Sequence, residues 1–384
     1  MAAVLEPVIP QVGTLVRQCP GTLSLAQGMV AWGPPAAVSR ELREELAAGE
    51  TATAPVSDLH RYGPGLGDPH LLELVRRELG QHREVDLEGT DLWVTAGSNM
   101  AFHAIAAVIC DRGDEVILPV PWYFNHAMAI QLAGGVPVGV DAGLVLDPDR
   151  LAAAITPRTR AIVTISPNNP SGVVQPPEVL ARINALCGRS GLFHISDEAY
   201  AEFVHGEIPH HSPGRASGSG GHTISLYSLS KAYGMAGWRI GYGALPAQLT
   251  RALLKVQDTV LICPPRWPQR AARAALQAGP TWCRPRISAL RAGRDQLSDA
   301  VASARARGLD IALMARPDGA FYGLVEVASP LSGQELVAHL IRKKGVAALP
   351  GESFGLRPAA DRAILRLSYG MLEGADLAEA LDRL

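Results

Sequence analysis

Several short stretches of the sequence place polar side chains directly after apolar runs. These polar residues are Asp197 at the end of LFHISD, Ser228, Ser230 and Lys231 after HTISLY, Asn169 after AIVTIS, and Gly97, Ser98 and Asn99 after DLWVTA. A lysine can form a Schiff base with an aldehyde, and a buried carboxylate can keep a pyridine nitrogen protonated. Hydroxyl groups, the guanidinium of Arg239 and the free amides of a helix N-terminus can bind a phosphate. These side chains could therefore bind an aldehyde, a pyridinium and a phosphate, provided that they meet in space.

Alternating strands and helices must position these residues. The sequence predicts strands over DLWVTA, DEVILPV, VPVGVD, RAIVTIS, LFHISD and HTISLYS, with helices over SNMAFHAIAAVI and WYFNHAMAIQLA. The apolar runs are continuous, which is typical of strands that are buried on both faces. The alternation favours an α/β fold, with a mostly parallel sheet flanked by helices and ligands bound beyond the carboxyl ends of the strands. The polar residues should therefore converge on one site, and together they are the set needed to bind pyridoxal 5′-phosphate.

The length of 384 residues predicts more than one domain. We expect an N-terminal arm and part of a small domain at 1–40, a large cofactor-binding domain at 41–280, and the remainder of the small domain at 281–384. The boundary falls near GPTWCRP, and beyond it lie an Arg/Ala-rich helix and the strand-like runs FYGLVEV and ILRLSYG. That content predicts an α+β arrangement for the small domain.

Composition excludes several classes of protein. The formal net charge of −2 gives no electrostatic reason to expect nucleic acid or an anionic membrane as a partner. No apolar run is long enough to span a bilayer. Because MAAVLEPVIPQVG lacks a basic region followed by an apolar one, we expect no signal peptide. The five cysteines include no C-x-x-C pair, which argues against a disulfide framework and a zinc site. We therefore expect a cytoplasmic enzyme that has no metal ion.

The sequence resembles the class I/II aminotransferases, which are fold-type I pyridoxal-phosphate enzymes. The resemblance covers nearly the whole chain. It rests on SLAQG (24–28), RYGPGLGDPHL (61–71), VTAGSNMAF (94–102), GDEVILPVPWYF (113–124), SPNNPSG (166–172), SDEAY (196–200), SLSKAYGMAGWRIGY (228–242), DGAFYGLVEV (318–327), ALPGESFG (348–355) and LRLSYG (365–370). These motifs occur in the order of the family, so together they are far more specific than any one of them.

The resemblance implies a role for each residue that matches a family motif. Lys231 matches the lysine that holds the cofactor as a Schiff base and later shuttles a proton. Asp197 matches the carboxylate that pairs with the pyridine nitrogen. Tyr200 and Asn169 match the pair that is hydrogen-bonded to the 3-oxygen of the ring, and Tyr123 matches the aromatic residue that stacks on its face. The catalytic set implied by the family is therefore Lys231, Asp197 and Tyr200.

The resemblance also implies a phosphate-binding cup and a shared site. Ser228, Ser230 and Arg239, with the turn 97–99, match the groups that bind the phosphate. Tyr62 matches a tyrosine that reaches the phosphate bound by the partner subunit. The resemblance therefore implies a homodimer with its active sites at the interface.

Substrate binding is implied for three positions. Arg366 matches the arginine that binds the α-carboxylate, and a planar guanidinium suits bidentate recognition of that group. Asn169 matches a residue that also binds the substrate, and Gly28 matches the glycine whose backbone lies against the substrate. Asn99 stands where one aspartate-specific subgroup has a lysine, although Arg266 leaves a dicarboxylate substrate possible.

These features predict a ping-pong aminotransferase that acts on a neutral amino acid, either methionine or an aromatic amino acid, and on a 2-oxo acid. SLAQGMVAWGPP and PWYFNHAMAIQLAGG resemble a branch with plant and cyanobacterial members, and an apolar pocket could include Trp32 and Trp122. The alternatives are an aspartate-type aminotransferase and a C–S β-lyase, since the same residues serve several reactions. A ligand-sensing regulatory domain is disfavoured, because such proteins carry a preceding DNA-binding domain and SLAQG begins here at residue 24.

Overall fold

The computed structural model describes residues 4–48 and 57–384. The helices are α1 Val8–Gln18, α2 Ala36–Ala48, α3 Pro69–Arg77, α4 Ser98–Ile109, α5 Phe124–Leu132, α6 Pro148–Ala153, α7 Pro177–Arg189, α8 Thr250–Leu261, α9 Arg266–Ala306, α10 Gly333–His339 and α11 Gly374–Asp382. The strands are β1 Leu23–Ser24, β2 Thr90–Thr95, β3 Glu115–Pro119, β4 Val136–Val140, β5 Thr159–Ile165, β6 Phe193–Asp197, β7 Thr223–Ser228, β8 Gly241–Pro246, β9 Ile311–Leu313, β10 Tyr322–Ala328, β11 Val346–Ala347, β12 Leu349–Pro350 and β13 Arg362–Ser368.

A seven-stranded sheet in the order β2-β8-β7-β6-β5-β3-β4 forms the centre of the fold. Strands β3 to β7 run parallel to one another, while β8 is antiparallel to both β2 and β7. The predicted α/β class with a mostly parallel sheet is confirmed. Strand β8 was not predicted, because GYGALP lacks the β-branched residues typical of strands.

Helices cover the two faces of this sheet, and side chains alternate between them along each strand. On one face Val116 and Val163 pack with residues of α4, α5 and α8. On the other face Ile117 and Ile162 pack with residues of α6 and α7. Burial on both faces explains why the strands have continuous apolar sequences, and it leaves the strand ends as the places where polar groups can gather.

The C-terminal part of the chain contains a second sheet, antiparallel and four-stranded, in the order β12-β13-β10-β9. Strand β1 pairs in parallel with β11, so the N-terminal segment packs on the C-terminal part. Helix α9 bends at Gly279, whose φ of 68° interrupts the helical conformation close to the predicted boundary. The division at 40 and 280 stays a prediction. Among the described residues, no helix is both long enough and apolar enough to cross a membrane.

Candidate active site

The strand ends bring the predicted site residues to one edge of the central sheet. Asp197 is the last residue of β6, and Ser228 is the last residue of β7. Because β8 is antiparallel, its first residue, Gly241, pairs with Ser228 at this same edge. Arg239 directly precedes β8 and is therefore brought here as well. This convergence was predicted from the sequence, but Arg239 reaches the edge through strand β8, which was not predicted.

A cavity of about 100 Å³ opens at this edge. Its lining residues are Ser98, Asn99, Tyr123, Ile165, Asn169, Asp197, Ala199, Tyr200, Ser228, Ser230, Lys231 and Arg239. All but Ile165 and Ala199 were singled out from the sequence. Two cations and a single carboxylate line the cavity, so its charge suits an anionic ligand.

One end of the cavity has the features of a phosphate site. Gly97 has a φ of 86°, and a Cβ atom there would lie 2.4 Å from Nη2 of Arg239. Only glycine lets the backbone approach the guanidinium so closely. Helix α4 begins at Ser98, and the first amide groups of a helix have no carbonyl partner within it. Nη1 of Arg239 donates to the carbonyl of Ala236 at 2.8 Å, which holds the side chain in place. This end of the cavity therefore offers amide, hydroxyl and guanidinium donors to a dianion.

Lys231 lies inside the cavity with its amine close to the N-terminal segment. Its Nζ donates to the carbonyl of Gly28 at 2.5 Å. Burial lowers the pKa of the Lys231 amine to about 8, and the positive charges of Arg366 and Arg239 act in the same direction. A large fraction of this amine is consequently neutral near pH 8, which is the form that attacks an aldehyde.

Asp197 is buried and held from two sides. Its Oδ1 accepts from the amide of Ala199 at 3.1 Å, and Oδ2 lies 3.1 Å from Nε2 of His126. The ring of His126 stacks on Phe102, with centroids 3.9 Å apart. These contacts fix the orientation of a carboxylate that faces the cavity. His126 was not among the candidate residues, because no motif in the sequence marks it.

Arg366 lies beside the cavity and is almost completely buried, with 2% exposure. Its Nη1 donates to Oδ1 of Asn169 at 3.1 Å, and Nη2 donates to the carbonyl of Ala26. Its Cζ lies 4.5 Å from the ring centroid of Tyr322. Tyr322 also contacts Tyr200, with 2.8 Å between the two hydroxyl oxygens. Tyr322 belongs to the motif DGAFYGLVEV, but no role was predicted for it from the sequence.

Four other candidate residues do not line the cavity of their own chain. Tyr62 has 79% exposure, and the guanidinium of Arg266 packs against the neighbouring Gly63. Trp32 donates from Nε1 to the carbonyl of Ala232 at 3.1 Å. Trp122 lines a separate cavity of about 20 Å³. The structure therefore gives no support to an apolar pocket formed by the two tryptophans at this cavity.

Comparisons with known proteins agree with this architecture. An aspartate aminotransferase of Thermus thermophilus, solved with maleate, has a TM-score of 0.86 and 31% identity, with 100% of this chain and 97% of that chain covered. The structure therefore has the fold of the fold-type I aminotransferases. The family described as aminotransferase class I and II matches residues 22–384. The chain belongs to this family and is a transaminase.

Curated relatives carry different substrate names. An aspartate/prephenate aminotransferase of Thermus thermophilus is 33% identical, with 96% of this chain and 91% of that protein covered. An aromatic aminotransferase of Arabidopsis thaliana is 30% identical, with 98% and 92% covered. An arginine–pyruvate transaminase of Pseudomonas aeruginosa is 32% identical, with 96% and 90% covered. The family thus establishes the reaction class and leaves the amino donor to be decided by the site.

Proposed function

We propose that this aminotransferase uses pyridoxal 5′-phosphate and transfers an amino group to a 2-oxo acid. The amino donor is a neutral L-amino acid, either methionine or an aromatic amino acid. The observation that carries the proposal is the single cavity that Lys231, Asp197 and Arg239 share. The three groups suit an aldehyde, a pyridinium and a phosphate, respectively. The cavity is also lined by hydroxyl and amide groups that suit the remaining polar atoms of the cofactor.

Each of the residues at the cavity would bind a particular part of the cofactor. Ser228, Ser230 and Arg239 would bind the phosphate together with the turn 97–99, and Asp197 would pair with the ring nitrogen. Tyr200 and Asn169 would hold the 3-oxygen, while Tyr123 would cover the ring. When bound, pyridoxal phosphate supplies an aldehyde that exchanges amines and a ring that accepts the electron pair released at the substrate Cα.

The residues of the chain would then direct the chemistry. The amine of Lys231 is positioned by the carbonyl of Gly28 and has a lowered pKa of about 8, so it can take a proton from the substrate Cα. Asp197 would hold its negative charge against the ring nitrogen, since the contacts with Ala199 and His126 keep the carboxylate in place. The buried surroundings of these groups strengthen their electrostatic interactions.

Arg366 would bind the α-carboxylate of the amino donor. Its Nε atom has no hydrogen-bond partner within residues 4–48 and 57–384, and the rings of Tyr322 and Phe354 flank the guanidinium. Asn99 supplies an amide instead of a cation at the position that would meet a second carboxylate. Donors with neutral side chains therefore fit the site better than aspartate.

Arg366→Lys should weaken every amino donor together, because a lysine cannot supply the planar pair of donors. A charge-assisted hydrogen bond contributes about 1.5–3 kcal/mol, so kcat/KM should fall by about 10- to 100-fold for each donor. The ratios between donors should change little. Arg362→Lys is the matched control, because Arg362 lies on the same strand and pairs with Asp310 and Glu326 instead. A loss confined to one donor would contradict a role at the shared carboxylate.

A panel of donors tests the substrate class. With a common acceptor, we expect kcat/KM for methionine, phenylalanine or tryptophan to exceed the value for aspartate by at least about 10-fold, since aspartate would bury an unpaired charge. A strong preference for aspartate would contradict the proposal and indicate Arg266 as a clamp for the second carboxylate. Release of ammonia and a thiol without keto-acid exchange would indicate a C–S lyase.

We further propose a homodimer in which Tyr62 serves the site of the partner subunit. Its exposure of 79% and its absence from the cavity of its own chain support this arrangement. Hybrid dimers of Tyr62→Phe subunits and Lys231→Ala subunits, purified through two affinity tags, provide the test. In this hybrid, the site that keeps Lys231 would receive an intact Tyr62 from the Lys231→Ala subunit. That site should therefore release cofactor at the wild-type rate.

A hybrid of wild-type and Lys231→Ala subunits is the control, because it has one intact site under either arrangement. If each site is built within one chain, the functional site of the test hybrid will instead release cofactor at the faster rate of the Tyr62→Phe homodimer. A fully active monomer in sedimentation would also contradict the shared site.

A further inference from the structure

Tyr322 lies where three separate segments of the chain meet. It is the first residue of β10 and is completely buried. Its hydroxyl oxygen is 2.8 Å from that of Tyr200, and its ring centroid is 4.5 Å from Cζ of Arg366. A Cβ atom on Gly28 would lie 2.4 Å from the same hydroxyl. A single side chain therefore contacts a proposed cofactor residue, a proposed substrate residue and the N-terminal segment.

The sheet register explains why Tyr322 lies next to Arg366. Tyr322 pairs with Ser368 across β10 and β13, so Arg366 is the diagonal neighbour two residues away on the same face. Tyr200, in contrast, belongs to the segment that follows β6 of the central sheet. The contact between the two tyrosines thus joins the antiparallel sheet to the cofactor edge of the central sheet.

The two hydroxyl groups can form a directed pair of hydrogen bonds. Burial raises the pKa of Tyr200 well above its usual value and that of Tyr322 to about 12, so both hydroxyls keep their protons. Each hydroxyl has one proton to donate and can also accept. If Tyr200 donates its proton to the oxygen of a bound cofactor, its contact with Tyr322 can be a hydrogen bond only if Tyr322 is the donor.

We propose that Tyr322 is a positioning residue with two tasks. Its hydroxyl donates to Tyr200, which directs the Tyr200 proton toward the cofactor oxygen. Its ring supports the guanidinium of Arg366 in the orientation that receives the substrate carboxylate. This inference rests on the proposed function, because the roles of Tyr200 and Arg366 are assigned there.

Tyr322→Phe separates the two tasks, because it removes the hydroxyl and keeps the ring. In this variant Tyr200 becomes a weaker donor, and the negative charge on the cofactor oxygen is less stabilised. The bound chromophore then keeps its proton to a higher pH. The midpoint of the visible-absorbance titration should rise by about 0.5–1 pH unit, the size expected for one neutral hydrogen bond.

A double-mutant cycle decides whether this effect passes through Tyr200. Tyr200→Phe should raise the midpoint by more than Tyr322→Phe does. Adding Tyr322→Phe to Tyr200→Phe should produce no further shift, because the intermediary hydroxyl is already absent. An unchanged midpoint in the single Tyr322→Phe variant, or full additivity in the double variant, would overturn the inference.

The ring is tested by comparing Tyr322→Phe with Tyr322→Leu. The probe is 3-phenylpropanoate, an unreactive carboxylate whose binding is followed through the cofactor absorbance. Tyr322→Phe should bind it as the wild type does. Tyr322→Leu should bind it about 3- to 30-fold more weakly, because a cation–π contact is lost. Equal affinities for Phe and Leu variants that both retain cofactor would overturn the role of the ring.

The outcomes distinguish this inference from the proposed function. A wild-type protein that shows no visible band with pyridoxal phosphate would refute the cofactor proposal itself. The Tyr322 inference alone would be refuted if the wild type and Tyr200→Phe titrate as expected but Tyr322→Phe titrates like the wild type. If Tyr322→Leu fails to fold, the titration of Tyr322→Phe still decides.

Discussion

Lys231→Ala should lower the rate of transamination by at least about 10⁴-fold, because the variant loses both the nucleophile and the base. The fold should survive, since the lysine side chain faces a cavity and not the core. Cofactor should still bind, though only weakly and without a covalent bond, because the phosphate-binding groups and Asp197 remain. Stopped-flow measurement of the half-reaction with an excess of amino donor gives the rate directly.

Covalent trapping identifies the lysine independently of activity. The sequence contains only four lysines, at positions 231, 255, 343 and 344. Borohydride should fix the cofactor to Lys231, and peptide mass mapping can distinguish it from the other three. Lys255→Ala is the matched control, because Lys255 is exposed on α8, and it should keep both colour and activity. A reduced adduct on any other lysine would show the assignment to be wrong.

Local sequence patterns predicted most of the central sheet, because most of its strands are buried on both faces and have continuous apolar runs. Helix α4 begins and ends at the predicted residues, Ser98 and Ile109. Helix α5 begins at Phe124, two residues later than predicted, because Tyr123 has the extended conformation of an N-cap residue. Strand β8 escaped prediction, since its short glycine-containing sequence is a strand only when β2 and β7 provide partners on both sides.

Motifs predicted the residues that gather around the cavity, because their chemistry is visible in the residue type and the order of the chain. The supporting residues were harder to find. His126 and Tyr322 act through contacts with Asp197 and Tyr200, and these contacts join positions that are distant in sequence. Burial and contact depend on how the strands and helices pack. A histidine in a helix or a tyrosine at a strand end therefore has no distinctive signal before the fold is known.

His126 and Ala199 hold the carboxylate of Asp197 in place, so a substitution at Asp197 can change its charge while keeping its position. Asp197→Asn should bind the cofactor and slow removal of the Cα proton by about 10²- to 10⁴-fold. An asparagine has nearly the same shape and can still accept from the amide of Ala199. Its neutral amide, however, cannot stabilise a positive charge on the ring nitrogen, so the ring becomes a poorer acceptor of electrons.

The test compares half-reaction rates and isotope effects. With a donor deuterated at Cα, the variant should show a larger kinetic isotope effect than the wild type, because proton removal then limits the rate. Asp149→Asn is the control. Its carboxylate lies on α6 with the side chain 83% exposed, so this substitution should leave the rate unchanged.

A cofactor analogue methylated at the ring nitrogen has a permanent positive charge. It should restore part of the rate in Asp197→Ala, where the shorter side chain leaves room for the methyl group. A near-normal half-reaction in Asp197→Asn would show that this carboxylate does not have the proposed role, and restoration by the analogue would show that the missing charge is the cause of the slow reaction.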